Sequence, residues 1–249
     1  MVLFLLFGLD KYTEISYNFS VLVKKGGDFL RKKLDNIIND FSVRYIDECF
    51  DTLMAYEKII FIGEQNNGYI TIKDITKNNI SREYIRILKN KGAIVQVDRG
   101  IYILKGTVPD DFYIFQTRYP KTIFSHFTAL YFYNITEEFP YYFDVTCDRN
   151  YNVKSIKTNN IFYVEKSLVN LGMIQIKTKY GNIVNTYDIE RTICDVIRND
   201  NRLDYEQVVK CLKKVFSSND IKVDMHKLSD YSKKLKCYDK VMRVIKYYE

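Results

Sequence analysis

Between residues 54 and 105, the order of hydrophobic and polar positions predicts a series of short helices. Isoleucines recur through a first candidate helix, Tyr56 to Glu64, which ends at the polar turn Gln65 to Gly68. Thr71 is a favourable N-cap for a second helix over Lys73 to Lys77. The short apolar stretches bounded by turn and cap residues therefore predict two helices in quick succession.

A third helix is predicted to begin after Ser81, a good N-cap residue, and to end at Gly92. Its apolar positions fall on one side of the helix. Arg82, Arg86 and Lys89 recur at i, i+4 and i+7 spacing, which places them together on the opposite side.

The segment after Gly92 predicts a β-hairpin, because the runs AIVQV and IYIL are β-rich and Gly100 lies in the turn between them. Three helices followed by a hairpin is the layout of a winged helix-turn-helix domain. Arginine on such a third helix matches guanine in the major groove, and Arg99 and Lys105 on the hairpin reach phosphates or the minor groove. The candidate DNA contacts are Thr71, Lys73, Ser81, Arg82, Arg86, Lys89, Arg99 and Lys105.

Two other interpretations of this segment stay open. Arg82, Arg86 and Lys89 taken alone are typical of the solvated face of an amphipathic helix. Winged helices also serve as protein-docking modules, so the layout does not determine the function. The ordered set of caps, turns and hairpin favours DNA binding.

The second domain is predicted to begin near Gly106, with Gly106 to Tyr119 as an irregular connection. A buried helix follows over Ser125 to Tyr133. Alternation of apolar and polar residues then predicts a small, mainly antiparallel sheet. Its strands are Tyr141 to Thr146, Ile161 to Val164, and a hairpin of Met173 to Lys179 with Ile183 to Tyr187.

The C-terminal third is predicted to be helical, over Asp188 to Arg198, Tyr205 to Phe216 and within Asp224 to Tyr248. Arg191 and Asp195 are spaced to form an i, i+4 ion pair that fixes the first of these helices to the sheet. The exposed sides are rich in lysine, which favours a solvated face, with a second nucleic-acid contact surface as the alternative. The chain is therefore predicted to be α+β, with domains at 54–105 and 106–249.

The first 53 residues are an N-terminal extension of uncertain structure. The apolar run Met1 to Leu9 is too short to span a bilayer and lacks the features of a signal peptide. Helical spacing predicts a helix near Asp28 to Phe41. The alternative is that translation starts at Met54, just before the first recognisable module.

Composition narrows the function classes. The net charge of +7 permits an anionic partner without requiring one. Five scattered cysteines without a C-x-x-C pair, and only two histidines, argue for reduced thiols in the cytoplasm and against a metal site. His126 is interpreted as a satisfied or surface histidine. Phosphate-binding, dinucleotide-binding, metalloprotease and nucleophile-elbow motifs do not occur, so no catalytic residue and no cofactor is predicted.

The run GYITIKDITKNNISREYIRILKNKGAIVQVDRGIYIL, then SHFTALYFYNI, FDVTC and YDIERTICDVIR, resembles in that order the AbiEi family of bacterial abortive-infection antitoxins. The resemblance covers about Met54 to the C-terminus. It places Ser81, Arg82, Arg86 and Lys89 on the recognition helix and Arg99 at the wing. The residues that match family motifs in the second domain, expected to be structural, are Ser125, Glu190, Arg191, Thr192 and Asp195.

The resemblance implies a type IV toxin-antitoxin protein that limits phage spread. Its winged helix would bind inverted repeats in the promoter of its own operon and repress it. Its C-terminal domain would counteract a nucleotidyltransferase toxin without a stable complex being required. The alternatives are an antitoxin or regulator whose winged helix docks protein with little specific DNA binding, and, third, an enzyme acting on nucleic acids through carboxylates that converge in the fold.

Overall fold

The structure, a computed structural model, describes residues 43–151, 160–218 and 221–248. The helix predicted at Asp28 to Phe41 lies outside the described residues. The chain divides into two compact units, residues 1–107 and 108–249. Among the described residues, no helix is both long and apolar enough to cross a membrane.

The described part of the first unit, residues 43–107, combines three helices with a three-stranded sheet. In chain order, its described elements are α1 (Val43–Gln65), β1 (Tyr69–Thr71), α2 (Ile72–Lys77), α3 (Arg82–Asn90), β2 (Ile94–Asp98) and β3 (Ile101–Leu104). The sheet is antiparallel in the order β1-β3-β2, so β1 adds a third strand to the hairpin. The hairpin, α2 and α3 confirm the predicted elements, whereas β1 is absent from the sequence prediction.

Helix α1 is longer than the predicted helix Tyr56 to Glu64, because it begins at Val43 and passes through Met54 without a break. After its last residue, the chain turns sharply at Gly68, whose φ is +91°. A Cβ at Gly68 would also collide with the side chain of Thr107. Both the left-handed backbone and the lack of space therefore require glycine at this turn.

The core of the first unit is built from aliphatic residues of every element around α3. Ile59 of α1, Ile70 of β1, Ile75 of α2 and Leu88 of α3 belong to one cluster, and each is fully buried. Burial of this side fixes the rotation of α3 about its own axis. The opposite side of α3 is consequently the exposed one.

The second unit is an α+β arrangement in which helices cover a five-stranded sheet. Its strands are β4 (Ile123–Phe124), β5 (Val145–Asp148), β6 (Ile161–Val164), β7 (Met173–Lys177) and β8 (Ile183–Tyr187). Its described α-helices are α4 (Asp111–Arg118), α5 (His126–Phe132), α6 (Lys166–Val169), α7 (Ile189–Arg198), α8 (Tyr205–Ser217), α9 (Met225–Lys234) and α10 (Tyr238–Tyr248). The predicted helical C-terminal third is confirmed as separate helices, with Lys236 at a positive φ of 57° in the last break.

Strand order in the second sheet is β6-β5-β4-β8-β7. The pairs β4–β5 and β7–β8 are antiparallel, as the predicted sheet requires. The pairs β4–β8 and β5–β6 are parallel, which the sequence pattern does not predict. Parallel partners are joined by long connections, so local alternation carries no information about their pairing.

Two local predictions in the second unit are wrong. The segment Gly106 to Tyr119 is not irregular, because α4 forms within it: the Asp110 carboxylate accepts a hydrogen bond from the Tyr113 backbone N–H at 3.3 Å. The strand predicted at Tyr141 to Thr146 begins only at Val145. Asp144, the residue before Val145, contacts the start of α5 instead. Its carboxylate accepts a hydrogen bond from the Phe127 backbone N–H at 3.0 Å.

Helix α7 is the centre of the second unit. Glu190, Arg191 and Asp195 are the more polar positions of this helix in the sequence, but all residues from Ile189 to Ile197 are buried. The cause is that α5, α8, α9 and α10 all contact α7. A helix surrounded in this way buries its polar side too, and each polar group on it then requires a partner.

Candidate nucleic-acid interface

Helix α3 presents the three predicted basic side chains to solvent. Ser81 caps it, since its Oγ accepts a hydrogen bond from the Glu83 backbone N–H at 3.3 Å. Ile85 and Leu88 are buried beneath it. Arg82, Arg86 and Lys89 are all exposed, so the structure brings these three cations to one accessible side of a single helix.

Arg86 is held by a carboxylate of its own helix. Its Nε donates to Glu83 Oε1 at 3.0 Å, and its Nη2 forms an ion pair with the same oxygen. This hydrogen bond is the main reason that the pKa of the Arg86 guanidinium is raised. A phosphate or a base that approaches Arg86 therefore meets the negative charge of Glu83 beside it.

Lys89 joins α3 to the hairpin, since its Nζ donates to Gln96 Oε1 at 2.7 Å. A groove of about 610 Å³ lies between helix and hairpin. Its lining residues are Lys89, Gly92, Ile94, Val95, Gln96, Val97, Asp98 and Arg99. The groove thus carries cations from both elements, which suits an anionic backbone, while Asp98 contributes the opposite charge.

The remaining predicted DNA contacts fall into two groups. Thr71 Oγ1 donates to Asp74 Oδ2 at 2.6 Å and accepts the Asp74 N–H at 3.2 Å, so its hydroxyl serves the cap of α2. Lys73 on α2, Arg99 in the hairpin turn and Lys105 after β3 are exposed. The side chains of Lys73, Arg99 and Lys105 are consequently accessible to a polyanion. The Thr71 hydroxyl is already hydrogen-bonded within the cap of α2.

The family-motif residues lie in the second unit, and all are buried: Ser125, Glu190, Arg191, Thr192 and Asp195. The predicted pair is confirmed, with Arg191 Nε 2.8 Å from Asp195 Oδ2. Arg191 Nη1 also donates to the carbonyls of Leu168 and Leu171, both at 2.9 Å. Its guanidinium lies 4.3 Å from the Tyr187 ring centre. Arg191 therefore ties α7 to β8 and to the segment before β7.

Asp195 has a second basic partner, because Arg198 Nη2 lies 3.1 Å from its Oδ1. Burial raises the pKa of the Asp195 carboxyl, and the positive charges of Arg191 and Arg198 oppose that rise. Each Asp195 oxygen therefore lies beside a guanidinium group, although Oδ1 and Arg191 Nη2 form no hydrogen bond among the described residues.

His126 is buried and satisfied, which confirms one of the two interpretations of its sequence context. Its Nδ1 lies 2.9 Å from Ser125 Oγ, and its Nε2 lies 3.0 Å from Asn199 Nδ2. The ring stacks on Phe162 at a centroid distance of 3.5 Å. Burial lowers the pKa of His126 well below its usual value, and nearby arginines lower it further. The imidazole is therefore neutral near pH 7.

Lys227 is a partner that the sequence pattern does not reveal. Its Nζ lies 3.0 Å from Asp188 Oδ2 and 3.1 Å from Glu190 Oε2, and it belongs to α9. No local spacing links positions so far apart in the chain. In the part of the chain that the structure describes, no group of three or more His, Cys, Asp or Glu side chains is arranged to hold a metal ion.

Asp144 gives the second unit a measurable pH dependence. Burial raises its pKa to about 6, although hydrogen bonds from Asn160 and from backbone N–H groups oppose the rise. The folded state then binds a proton more tightly than the unfolded state, where the pKa is about 3.9. The contribution of Asp144 to stability is therefore fully present below pH ~4 and is lost as the pH rises through ~6.

We expect the difference in unfolding free energy between Asp144→Asn and wild type to change with pH. Relative to wild type, the variant should gain up to about 3 kcal/mol between pH 4 and pH 7, because asparagine cannot ionise. Urea unfolding of both proteins across this range measures the change. A constant difference in unfolding free energy between wild type and variant from pH 4 to pH 7 would contradict the raised pKa of Asp144.

One comparison with known protein families matches a segment of the first unit. The model of a family described as "Transcriptional regulator, AbiEi antitoxin" matches residues 57–105. This confirms the resemblance to AbiEi antitoxins over those residues, and the family is one of regulators. No protein of curated function matches the chain.

A solved structure shares the overall fold. The crystal structure of the RV2827C protein from Mycobacterium tuberculosis is similar with a TM-score of 0.52 and 9% sequence identity. The match covers 78% of this chain and 77% of that chain. At this identity the similarity concerns the fold alone.

Proposed function

We propose that the protein is an autorepressor and antitoxin of a type IV toxin-antitoxin system. In this proposal residues 54–105 form a winged helix-turn-helix domain that binds operator DNA with α3 as its recognition helix. Residues 106–249 form the antitoxin domain. The match of residues 57–105 to an antitoxin regulator family supports the regulatory role.

The exposed cations of α3 carry the DNA-binding part of the proposal. Arg82, Arg86 and Lys89 share one accessible side, and Arg99 extends the positive charge to the hairpin turn. Guanidinium groups near the start of a helix are suited to guanine edges in the major groove, and hairpin cations to the flanking phosphates. The order helix, strand, helix, helix, hairpin supports the same docking geometry.

The partners follow from the same assignment. Operator DNA would contain inverted repeats upstream of the protein's own operon. The functional partner would be a nucleotidyltransferase toxin, counteracted in the cytoplasm to limit phage spread, with no stable complex required. We assign no catalytic reaction to this chain, because its polar motif residues are buried in ion pairs and hydrogen bonds.

A protein-docking first unit is the second candidate. Glu83 forms an ion pair with Arg86 on α3, and the groove is lined by both Asp98 and the half-exposed Val95. A groove with an apolar strand residue and both signs of charge also suits a polypeptide. Stable co-purification of the toxin with the full chain would favour this candidate.

We expect the two roles to separate in a full-length variant. Arg82→Ala/Arg86→Ala should lose repression of a reporter driven by the protein's own upstream region, because it removes the two proposed base contacts. Both altered side chains face solvent in the first unit, so the fold should be unchanged. The same variant should still rescue cells that express the toxin. Lys58→Ala, which removes an exposed cation of α1, is the matched control and should retain both activities. Loss of rescue together with repression, at unchanged protein levels, would contradict this division.

A further inference from the structure

A cavity of about 190 Å³ opens in the second unit between α4, α5 and the β7–β8 hairpin. Its lining residues are Phe112, Tyr131, Phe132, Tyr133, Ile176, Lys177, Thr178 and Lys179. Phe112 is buried and the other aromatic residues are half-buried, whereas both lysines are exposed. The cavity thus combines an aromatic interior with a cationic mouth, and the proposed function uses neither.

The aromatic rings hold one another in place. Phe112 stacks on Tyr131 with ring centroids 5.8 Å apart and packs against Phe132 at 4.7 Å. Phe139, which is 40% exposed, lies within 5.7 Å of both Phe112 and Tyr131. Because each ring is fixed by several others, the half-buried ring of Tyr131 is a preorganised surface for a flat, conjugated ligand.

The lysines at the mouth have no carboxylate of their own. Among the described residues, neither Lys177 nor Lys179 forms an ion pair with an acidic side chain. The nearest buried carboxylate, Asp110, already accepts hydrogen bonds from Thr178 Oγ1 at 2.6 Å and Asn182 Nδ2 at 2.8 Å. Lys179 Nζ lies over the Tyr180 ring, 4.9 Å from its centre, and both lysines are exposed. Two exposed lysines without an ion pair beside an aromatic cavity therefore favour an anionic ligand with a planar group.

We propose that this cavity binds one nucleotide unit, with the base stacked against Tyr131 and the phosphate paired with Lys177 and Lys179. The volume is smaller than that of pockets for drug-sized ligands, roughly 300–1,000 Å³, and accommodates a single ring system. Stacking on an aromatic side chain and pairing with lysine are the two interactions by which proteins hold unpaired nucleotides. The nucleotide can be free or the end of a single-stranded nucleic acid.

The test uses the purified full-length protein and two kinds of probe in equilibrium binding. The first is each of the four ribonucleoside triphosphates, and the second is a short single-stranded RNA. Binding of the triphosphates alone identifies free nucleotide as the ligand, and binding of the RNA alone identifies a nucleic-acid end. Inorganic tripolyphosphate is the competitor that separates base stacking from simple charge attraction.

Four variants locate the binding. Tyr131→Leu should weaken it roughly ten-fold or more, while Tyr131→Phe, which keeps the ring, should retain it. Lys177→Ser/Lys179→Ser should weaken it by a similar factor, and Lys166→Ser, an exposed lysine of α6, should not. The lysine variants change only exposed side chains, so they remain informative if Tyr131→Leu fails to fold.

Three results would overturn the proposal. The first is that wild type binds neither probe. The second is that the lysine double variant binds as tightly as Lys166→Ser. The third is that tripolyphosphate competes as well as the nucleotides, because the aromatic cavity would then contribute nothing. Each of these results leaves the operator-binding proposal intact, since that concerns the first unit.

Discussion

Replacing Arg191 by methionine should lower the free energy of unfolding by about 3–5 kcal/mol, because it leaves the buried Asp195 carboxylate with only one of its two ion-pair partners. Asp195 is fully buried, and Arg198, with a quarter of its side chain exposed, would be its one remaining ion-pair partner among the described residues. The substitution also removes the donor to the carbonyls of Leu168 and Leu171. Denaturant unfolding followed by circular dichroism measures the loss.

A matched control is available in the other unit. Arg86→Met breaks an exposed ion pair with Glu83 and should change stability little, since such pairs are screened by solvent. The double variant Arg191→Met/Asp195→Leu should be more stable than Arg191→Met alone, because it removes the buried carboxylate that has lost its fully buried partner. Equal, small losses for Arg191→Met and Arg86→Met would show that the buried pair does not hold α7 in place.

Operator affinity should fall roughly ten- to hundred-fold for each of Arg82→Ala and Arg86→Ala, and discrimination between bases should fall with it. The proposed reason is the loss of a two-pronged hydrogen bond from the arginine to a guanine edge. Fluorescence anisotropy with operator and mismatched duplexes measures both effects. Lys58→Ala should leave the discrimination between bases unchanged. It should weaken operator binding by no more than the loss of one weak phosphate contact.

The Glu83–Arg86 pair makes a further distinction possible. Glu83→Gln should tighten operator binding, because it releases Arg86 and removes a negative charge beside the proposed DNA contacts. If Arg86 is only a solvated surface residue, neither Glu83→Gln nor Arg86→Ala will change the discrimination between sequences. Undiminished discrimination in Arg82→Ala/Arg86→Ala would remove α3 from the recognition role.

Short-range sequence signals were sufficient to predict most helices and strands of the first unit. The caps Thr71 and Ser81 and the turn glycine Gly100 mark element boundaries through contacts that span only a few residues. The strand β1 escaped prediction because its three residues become a strand only by pairing with Ile101 to Ile103 across the sheet. The candidate cations were identified from helical spacing, and their exposure follows from the burial of Ile85 and Leu88.

The second unit was harder to predict because its organisation depends on distant contacts. The parallel pairs β4–β8 and β5–β6 leave no local periodic signature. Asp110 lies in the segment Gly106 to Tyr119 that was predicted to be irregular, yet it is the N-cap of α4. The i, i+4 spacing of Arg191 and Asp195 revealed their pairing but not their complete burial, which depends on the helices packed around α7.

The measurement that most directly tests the account is anisotropy of the wild-type protein on DNA from directly upstream of its own gene, against a scrambled duplex, over a salt series. We expect tighter binding to the upstream sequence, and a log–log salt slope that reports several phosphate contacts. Equal, weak binding to both duplexes that vanishes near physiological salt would contradict operator recognition by α3.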